Sequence, residues 1–460
     1  MKNYIKCIFS ACTPYLFLIT ITAVFFNVGA LRASSTLVLS LEQALQLASE
    51  RNMDIQAGRL EIRSSQQQIR ETTAVGLPQL SASAGYQYFF DIPTSLVPAE
   101  FFGGLPGEFA EIQFGTEQNL VATATLNQII FSGEYIVGLR AARIYRELAN
   151  HNLKRTELEV RNMVTETYFL VLMTVANLQI IRENLVNMRQ TLFETEKVME
   201  AGFTDPINVD QLRLGVANMQ NSIANLERQR LLSLNLLKFQ MGVDIEKEVV
   251  LSDTMEELFA GLTLEAVLVA EFDPQFHIDF RLLSTQAEFS KMVLRREQSF
   301  YLPSLDATFV RQEMAMRNEF NFFRSGSPWF PTTFFSLNLK IPIFSSGMRS
   351  ARVQQARVEL EKANLATEQV RQSLIMQMQK AQADYQTAVE QYQNQQENLE
   401  LAKRIFERTS IMHREGLAGS LELTQASDQL LATQSNYLGS MFDVLNARNN
   451  LEKAAGRQNQ

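Results

Sequence analysis

The chain has 460 residues, of which 46% are hydrophobic and 20% charged, with a formal net charge of −8. This length suits two or three ordinary domains, and the balance excludes a disordered chain. The acidic charge and the lack of a Gly-rich phosphate loop argue against nucleic-acid or nucleotide partners. Both cysteines, Cys7 and Cys12, lie close to the N-terminus, so no disulfide framework or thiolate catalyst is predicted for the rest of the chain.

Lys2 and Lys6 precede a largely apolar stretch from Ile8 to Val28, and Ala30 or Ala33 offers a small residue for cleavage. Residues 1–30 therefore read as a secretory signal, with a membrane anchor as the alternative. Cys12 opens the apolar run rather than following it, which argues against lipid attachment. Beyond this segment no run of 18 apolar residues appears, so no membrane-spanning helix is predicted.

A helix is predicted from Leu41 to about Thr73, stopped by Pro78. Leu80, Ala82, Ala84, Tyr86 and Tyr88 then alternate with Ser, Gly and Gln, as in a strand with unlike faces. A Pro-, Gly- and Phe-rich loop spans Asp91 to Gly115. A second strand sets Leu120, Ala122, Ala124 and Leu126 against Val121, Thr123, Thr125 and Asn127. From Glu134 to Ala201 there is no proline and little glycine. Its stripe runs Val160, Val164, Val171, Val175, Leu178, Leu185, Met188, Leu192 and Met199, in the threes and fours of coiled-coil packing. Gly202-Phe203-Thr204-Asp205-Pro206 turns the chain into a return helix ending near Met241.

The chain then repeats itself. Leu39-Ser40-Leu41-Glu42 returns as Leu262-Thr263-Leu264-Glu265, and Leu77-Pro78-Gln79-Leu80 as Leu302-Pro303-Ser304-Leu305. Phe131-Ser132-Gly133 returns as Phe344-Ser345-Ser346-Gly347. Gly202, Gln211, Asn235, Leu237 and Gly242 recur 214 residues later as Gly416, Gln425, Asn449, Leu451 and Gly456. The repeating unit is half a protein, spanning 31–256 and 257–460, with β-hairpins at 79–131 and 304–344. The second hairpin runs from Leu305 to about Met314, then through Phe335, Leu337, Leu339, Ile341 and Ile343. A second long helix is predicted from Met348 to Glu415 with Leu360, Ala363, Val370, Leu374, Met378, Ala381, Tyr385, Ala388, Tyr392, Leu399, Ala402 and Phe406 in its stripe. The return helix and the helix before each hairpin, stacked end to end, would match one long helix.

These segments resemble the TolC family of outer-membrane efflux proteins over essentially all of the chain beyond the signal. The carriers are Leu39 through Leu45, the Leu77 and Leu302 motifs, Ile341 through Gly347, and Gly416 through Leu438 with Leu451 and Gly456. The resemblance implies a mainly helical fold with a membrane β part. Three protomers would share one transmembrane β-barrel, four strands each, continued by a coiled-coil α-helical barrel across the periplasm. It further implies an exit duct of a tripartite efflux or type I secretion system. The partners are an inner-membrane pump, a periplasmic adaptor and outer-membrane lipid, with no cofactor, no nucleic acid and no enzymatic chemistry. The residues themselves require oligomerisation without fixing the copy number: four strands cannot close a barrel, and open edges are not tolerated in hydrocarbon.

In the family an acidic ring six and nine residues after the loop glycine lines the inner entrance. On this chain those positions are Glu422 and Gln425, with Asn208 and Gln211 in the first half; only Glu422 is acidic, and Asp205 and Asp210 are candidate compensators. A plain helix-start role favoured by the helix dipole is the competing reading of Glu422. Gly202, Phe203, Gly416, Leu417 and Leu421 are the candidate contacts to adaptor or pump. Arg404, Arg408, Arg414, Glu196 and Glu200 are candidate interhelical ties. Trp329, Phe320, Phe322, Phe323 and Phe330, like Phe89, Phe90, Phe101 and Phe102, suit either an aromatic girdle or packing within an external loop. His151, His277 and His413 are too far apart in sequence to read as a metal site. A periplasmic adaptor and a coiled-coil surface protein are the rival classes, and the four strand segments disfavour both.

Overall fold

A computed structural model describes residues 36–262 and 272–456. The predicted signal, both cysteines and Thr263-Leu264-Glu265 of the second helix-start motif lie outside the described residues. The first predicted helix is two: α1 (Leu41–Arg51) and α2 (Met53–Val75). The break is chemical. Asn52 leaves helical geometry, and its Oδ1 accepts the N–H groups of Asp54 and Ile55 at 2.9 and 3.2 Å, capping α2.

The strands β2 (Gln79–Tyr88), β5 (Gln118–Phe131), β7 (Ser304–Arg317) and β8 (Phe330–Lys340) form one antiparallel sheet in the order β2-β5-β7-β8. Two expectations need correction. The loop from Asp91 to Gly115 is not featureless: β3 (Thr94–Pro98) and β4 (Phe109–Gln113) pair as a separate small hairpin. The last strand stops at Lys340, short of Ile341 and Ile343, where Pro342 has no N–H for the ladder.

The long helices are α3 (Gly133–Glu200), of 68 residues, and α7 (Met348–Arg414), of 67. Each extends about 100 Å at 1.5 Å per residue. They turn back as α4 (Pro206–Gln240) and α8 (Ser420–Ala454). The predicted stripes form the core, including Val160, Val164, Leu178 and Leu185 in α3 and Leu374, Met378, Ala381 and Tyr385 in α7. Val175 is the exception: it is exposed. One stretch of α3 is apolar enough to cross a membrane by composition, which the sequence reading missed. More than half of it is buried within the chain, so it serves as a core helix.

Three further elements escaped prediction because three and six residues are too short to show a period. β1 (Leu37–Leu39) pairs in parallel with β6 (Val249–Leu251), and α5 (Met255–Ala260) follows. The ribbon is fastened to α3 by Tyr168. Its hydroxyl lies 2.9 Å from Asp253 Oδ2 and 3.1 Å from the Leu39 carbonyl, and the same carboxylate oxygen accepts the Leu41 N–H at 2.8 Å. Burial, with Asp253 adding to it, raises the Tyr168 phenol well above its ordinary range, so the hydroxyl stays a donor.

The end-to-end stacking occurs in both halves. Gln240 ends α4, and its carbonyl accepts from Asn52 Nδ2 at 2.8 Å, so one side chain closes α4 and opens α2. Gly242 makes the approach possible. Its φ is +66°, and a Cβ there would lie 2.2 Å from the Arg51 carbonyl oxygen. In the second half α8 meets α6 (Ile278–Ser299), and buried His277 stands where Asn52 stood. Its Nδ1 accepts the Asp279 N–H at 3.2 Å. Gly456, at φ +67°, lies against the ring.

Candidate functional site at the helical tips and sheet edges

The α3–α4 and α7–α8 turns lie side by side at one end of the helices. The Ser420 N–H donates to Asn208 Oδ1 at 3.4 Å, joining the two tips, and Asn208 Nδ2 donates to Thr204 Oγ1 at 3.0 Å. Gly202 and Gly416 have φ of +78° and +74°. Asp205 accepts the Ile207 N–H at 2.9 Å and thereby caps α4 ahead of Pro206. On α8 the bond runs the other way: Glu422, in the first turn, accepts the N–H of the N-cap residue Gly419 at 2.9 Å. Phe203, Leu417 and Leu421 project into solvent.

The tip residues named from sequence thus divide. Asn208, Glu422 and Asp205 take part in the turns. Gln425 is exposed on α8, whereas Gln211 points its Oε1 into the helix seam without a partner. Asp210 lies 3.6 Å from Arg213, which bonds Glu196 at 2.9 Å across the hairpin. Glu200 pairs with Lys197 on its own helix. Among the described residues Arg404, Arg408 and Arg414 form no ion pair within the chain. His413 Nδ1 lies 3.0 Å from the Ala418 carbonyl, so that ring braces the second turn.

Two acids went unnoticed in the sequence. Partial desolvation lifts the carboxyls of Asp428 and Asp443, both on α8 and both exposed in the single chain, above their ordinary range. Asp428 follows Gln425 by three residues, one helical turn along the same face. The signal was available as an acid among Ala426, Ser427 and Leu430.

The other notable feature is the sheet. Register aligns Leu80, Leu126, Phe309 and Phe335 in one row across all four strands, and all four are exposed. The opposite face is polar near the helices, where Gln79, Asn127, Asp306, Thr308 and Asn338 share one concave pocket. Among the described residues neither β2 nor β8 has a second neighbouring strand. Tyr86 is packed edge-on by Phe320 and Phe322, so part of the predicted aromatic set packs within the chain; Phe322 is buried. No group of three or more His, Cys, Asp or Glu among the described residues is placed to hold a metal.

An apolar-rowed sheet with two open edges, set on helices about 100 Å long, defines a protein built to assemble in a membrane. Residues 44–243 and 286–457 match the family described as "Outer membrane efflux protein". The chain belongs to that family: it is an outer-membrane efflux channel protein whose helices reach into the periplasm. It is 22% identical to "Cation efflux system protein CusC" of Escherichia coli O157:H7 over 85% of this chain and 80% of that one. The solved structure of CusC superposes with a TM-score of 0.74 at 19% identity, covering 92% and 93% of the two chains. VceC of Vibrio cholerae gives 0.69 at 14% identity, covering 90% and 96%.

Proposed function

We propose that three copies of this chain form a passive exit duct, each adding four strands to a 12-stranded barrel. The observation that carries this is the pair of unsatisfied edges on β2 and β8. β2 and β7 run parallel to each other, so β8 of one copy meets β2 of the next antiparallel, as bacterial barrels require. The row Leu80-Leu126-Phe309-Phe335 then faces lipid, and the polar concave face lines the lumen. The helices continue the wall through the periplasm toward an adaptor and an inner-membrane pump, which supply the energy. The duct itself carries out no reaction and needs no cofactor.

The tips form the inner entrance. Phe203, Leu417 and Leu421 are the contacts for adaptor or pump, and shifts about the turns at Gly202 and Gly416 open the passage. Glu422 presents one carboxylate per copy there. Asn208 and Gln211 at the seam and Gln425 on the exposed face of α8 add no charge, and Asp205 and Asp210 are engaged as cap and ion pair. Asp428, a turn below Gln425, supplies the second acid. Deleting the chain is expected to sensitise its host to several unrelated toxic compounds, and unchanged susceptibility would count against an efflux role. In planar bilayers Glu422→Gln is expected to weaken cation preference; unchanged selectivity would remove Glu422 from the entrance.

A further inference from the structure

We propose that the β3–β4 hairpin of one copy docks on the β7–β8 loop of the neighbouring copy, forming an inter-copy clasp at the outer rim. This rests on the assembly proposed above. The two faces of the hairpin differ. Its register places Leu96 opposite Glu111 and Pro98 opposite Phe109, while Val97, Ala110 and Ile112 occupy the other face. The second face is half-buried. The first is open, with Leu96 64% and Phe109 66% exposed, and Phe101, in the connection between the two strands, is 79% exposed. Contiguous apolar exposure of this kind marks an interaction surface, whereas scattered single residues do not.

Charge identifies the occupant. Between Phe89 and Gln118 there are five carboxylates, Asp91, Glu100, Glu108, Glu111 and Glu117, and no lysine or arginine. The 318–329 loop is its complement. Phe320 and Phe323 are exposed there, Arg317 at the end of β7 and Arg324 within the loop together outnumber Glu319, and the Arg324 guanidinium forms no ion pair among the described residues. Ring closure sets β8 beside the next copy's β2, so the connection bearing that copy's hairpin borders this copy's β7–β8 loop. A phosphate-bearing lipid surface would repel five carboxylates that have no basic side chain among them. A second copy offers both the apolar contact and the cation.

The test uses two differently tagged full-length chains expressed together, one carrying Glu111→Cys and the other Arg324→Cys. The only other cysteines are Cys7 and Cys12, and a pair of unsubstituted tagged chains provides the background. Mild oxidation is expected to give a mixed-tag covalent dimer on non-reducing gels. Arg324→Glu is expected to lower the temperature at which the detergent-extracted oligomer dissociates, and adding Glu111→Arg to restore it. An intact oligomer with no mixed-tag dimer overturns the clasp alone. Failure to find any oligomer overturns the assembly on which it rests. An environment-sensitive dye at Glu111→Cys that turns apolar on reconstitution into phospholipid vesicles, regardless of Arg324→Glu, assigns the hairpin to lipid and also overturns the clasp.

Discussion

The two joints that stack return helix on hairpin helix do one mechanical job with different chemistry. At the first, Asn52 closes one helix and opens the next, and Gly242 lies so close to Arg51 that only hydrogen fits. At the second, His277 caps α6 through a ring nitrogen, and Gly456 keeps ordinary contact distance from that ring, with a built Cβ at 3.7 Å. Asp279 also bonds Arg155 of α3 at 3.1 Å, and Arg155 holds Glu159 at 3.0 Å. Lys453 of α8 completes the charges around the ring. The duplicated fold thus has one joint fixed by shape and amide chemistry and one that titrates.

The largest expected effect separates the glycines. Gly242→Ala combines a backbone clash with left-handed strain of about 1–2 kcal/mol, while Gly456→Ala bears the strain alone. Urea titration of the purified variants should place Gly242→Ala far below Gly456→Ala in stability; equal losses would refute the close approach. Next comes Asn52→Ala, which removes a cap and leaves the Gln240 carbonyl without its donor, costing about 2 kcal/mol. That loss should be the same at pH 7.5 and pH 5.5.

The second joint should differ in its response to acid. Burial is the main cause lowering the His277 pKa below 6.5, outweighing attraction to Asp279. The folded state therefore favours the neutral ring, whose Nδ1 is free to accept. The stabilisation is complete above pH 6.5 and is lost as pH falls through the depressed folded value. Protection from hydrogen exchange at the start of α6, taken relative to the intrinsic rate at each pH, should fall on acidification while that at the start of α2 does not, and His277→Asn should make the two behave alike. The smallest effect is expected from Arg155→Gln, under about 1 kcal/mol by the same urea titration, because the guanidinium and Asp279 are both partly exposed.

Much of the fold was legible because it is periodic. The stripes from Val160 and Leu360 continue over many turns, and two prolines mark the hairpin entries, so the long helices and the four strand segments follow from spacing, while their union in one sheet came from the family resemblance. The joints were not legible. Asn52 and His277 share no residue type, and their common role rests on where Gln240 and Gly456 arrive in space. At the tips, Glu422 was named only through the family resemblance, six residues after Gly416, and its bond to the Gly419 N–H and the Asn208–Ser420 link could not be read from sequence. Asp428 was overlooked because an exposed acid on a helix looks in sequence like any solvated surface residue. β1, α5 and the β3–β4 hairpin are too short to announce themselves.

The open edges of β2 and β8 carry the whole account, and the mass of the detergent-extracted particle tests them most directly. Native mass spectrometry should return three times the chain mass, collapsing to one on boiling. A stable single chain, soluble without detergent, would contradict it.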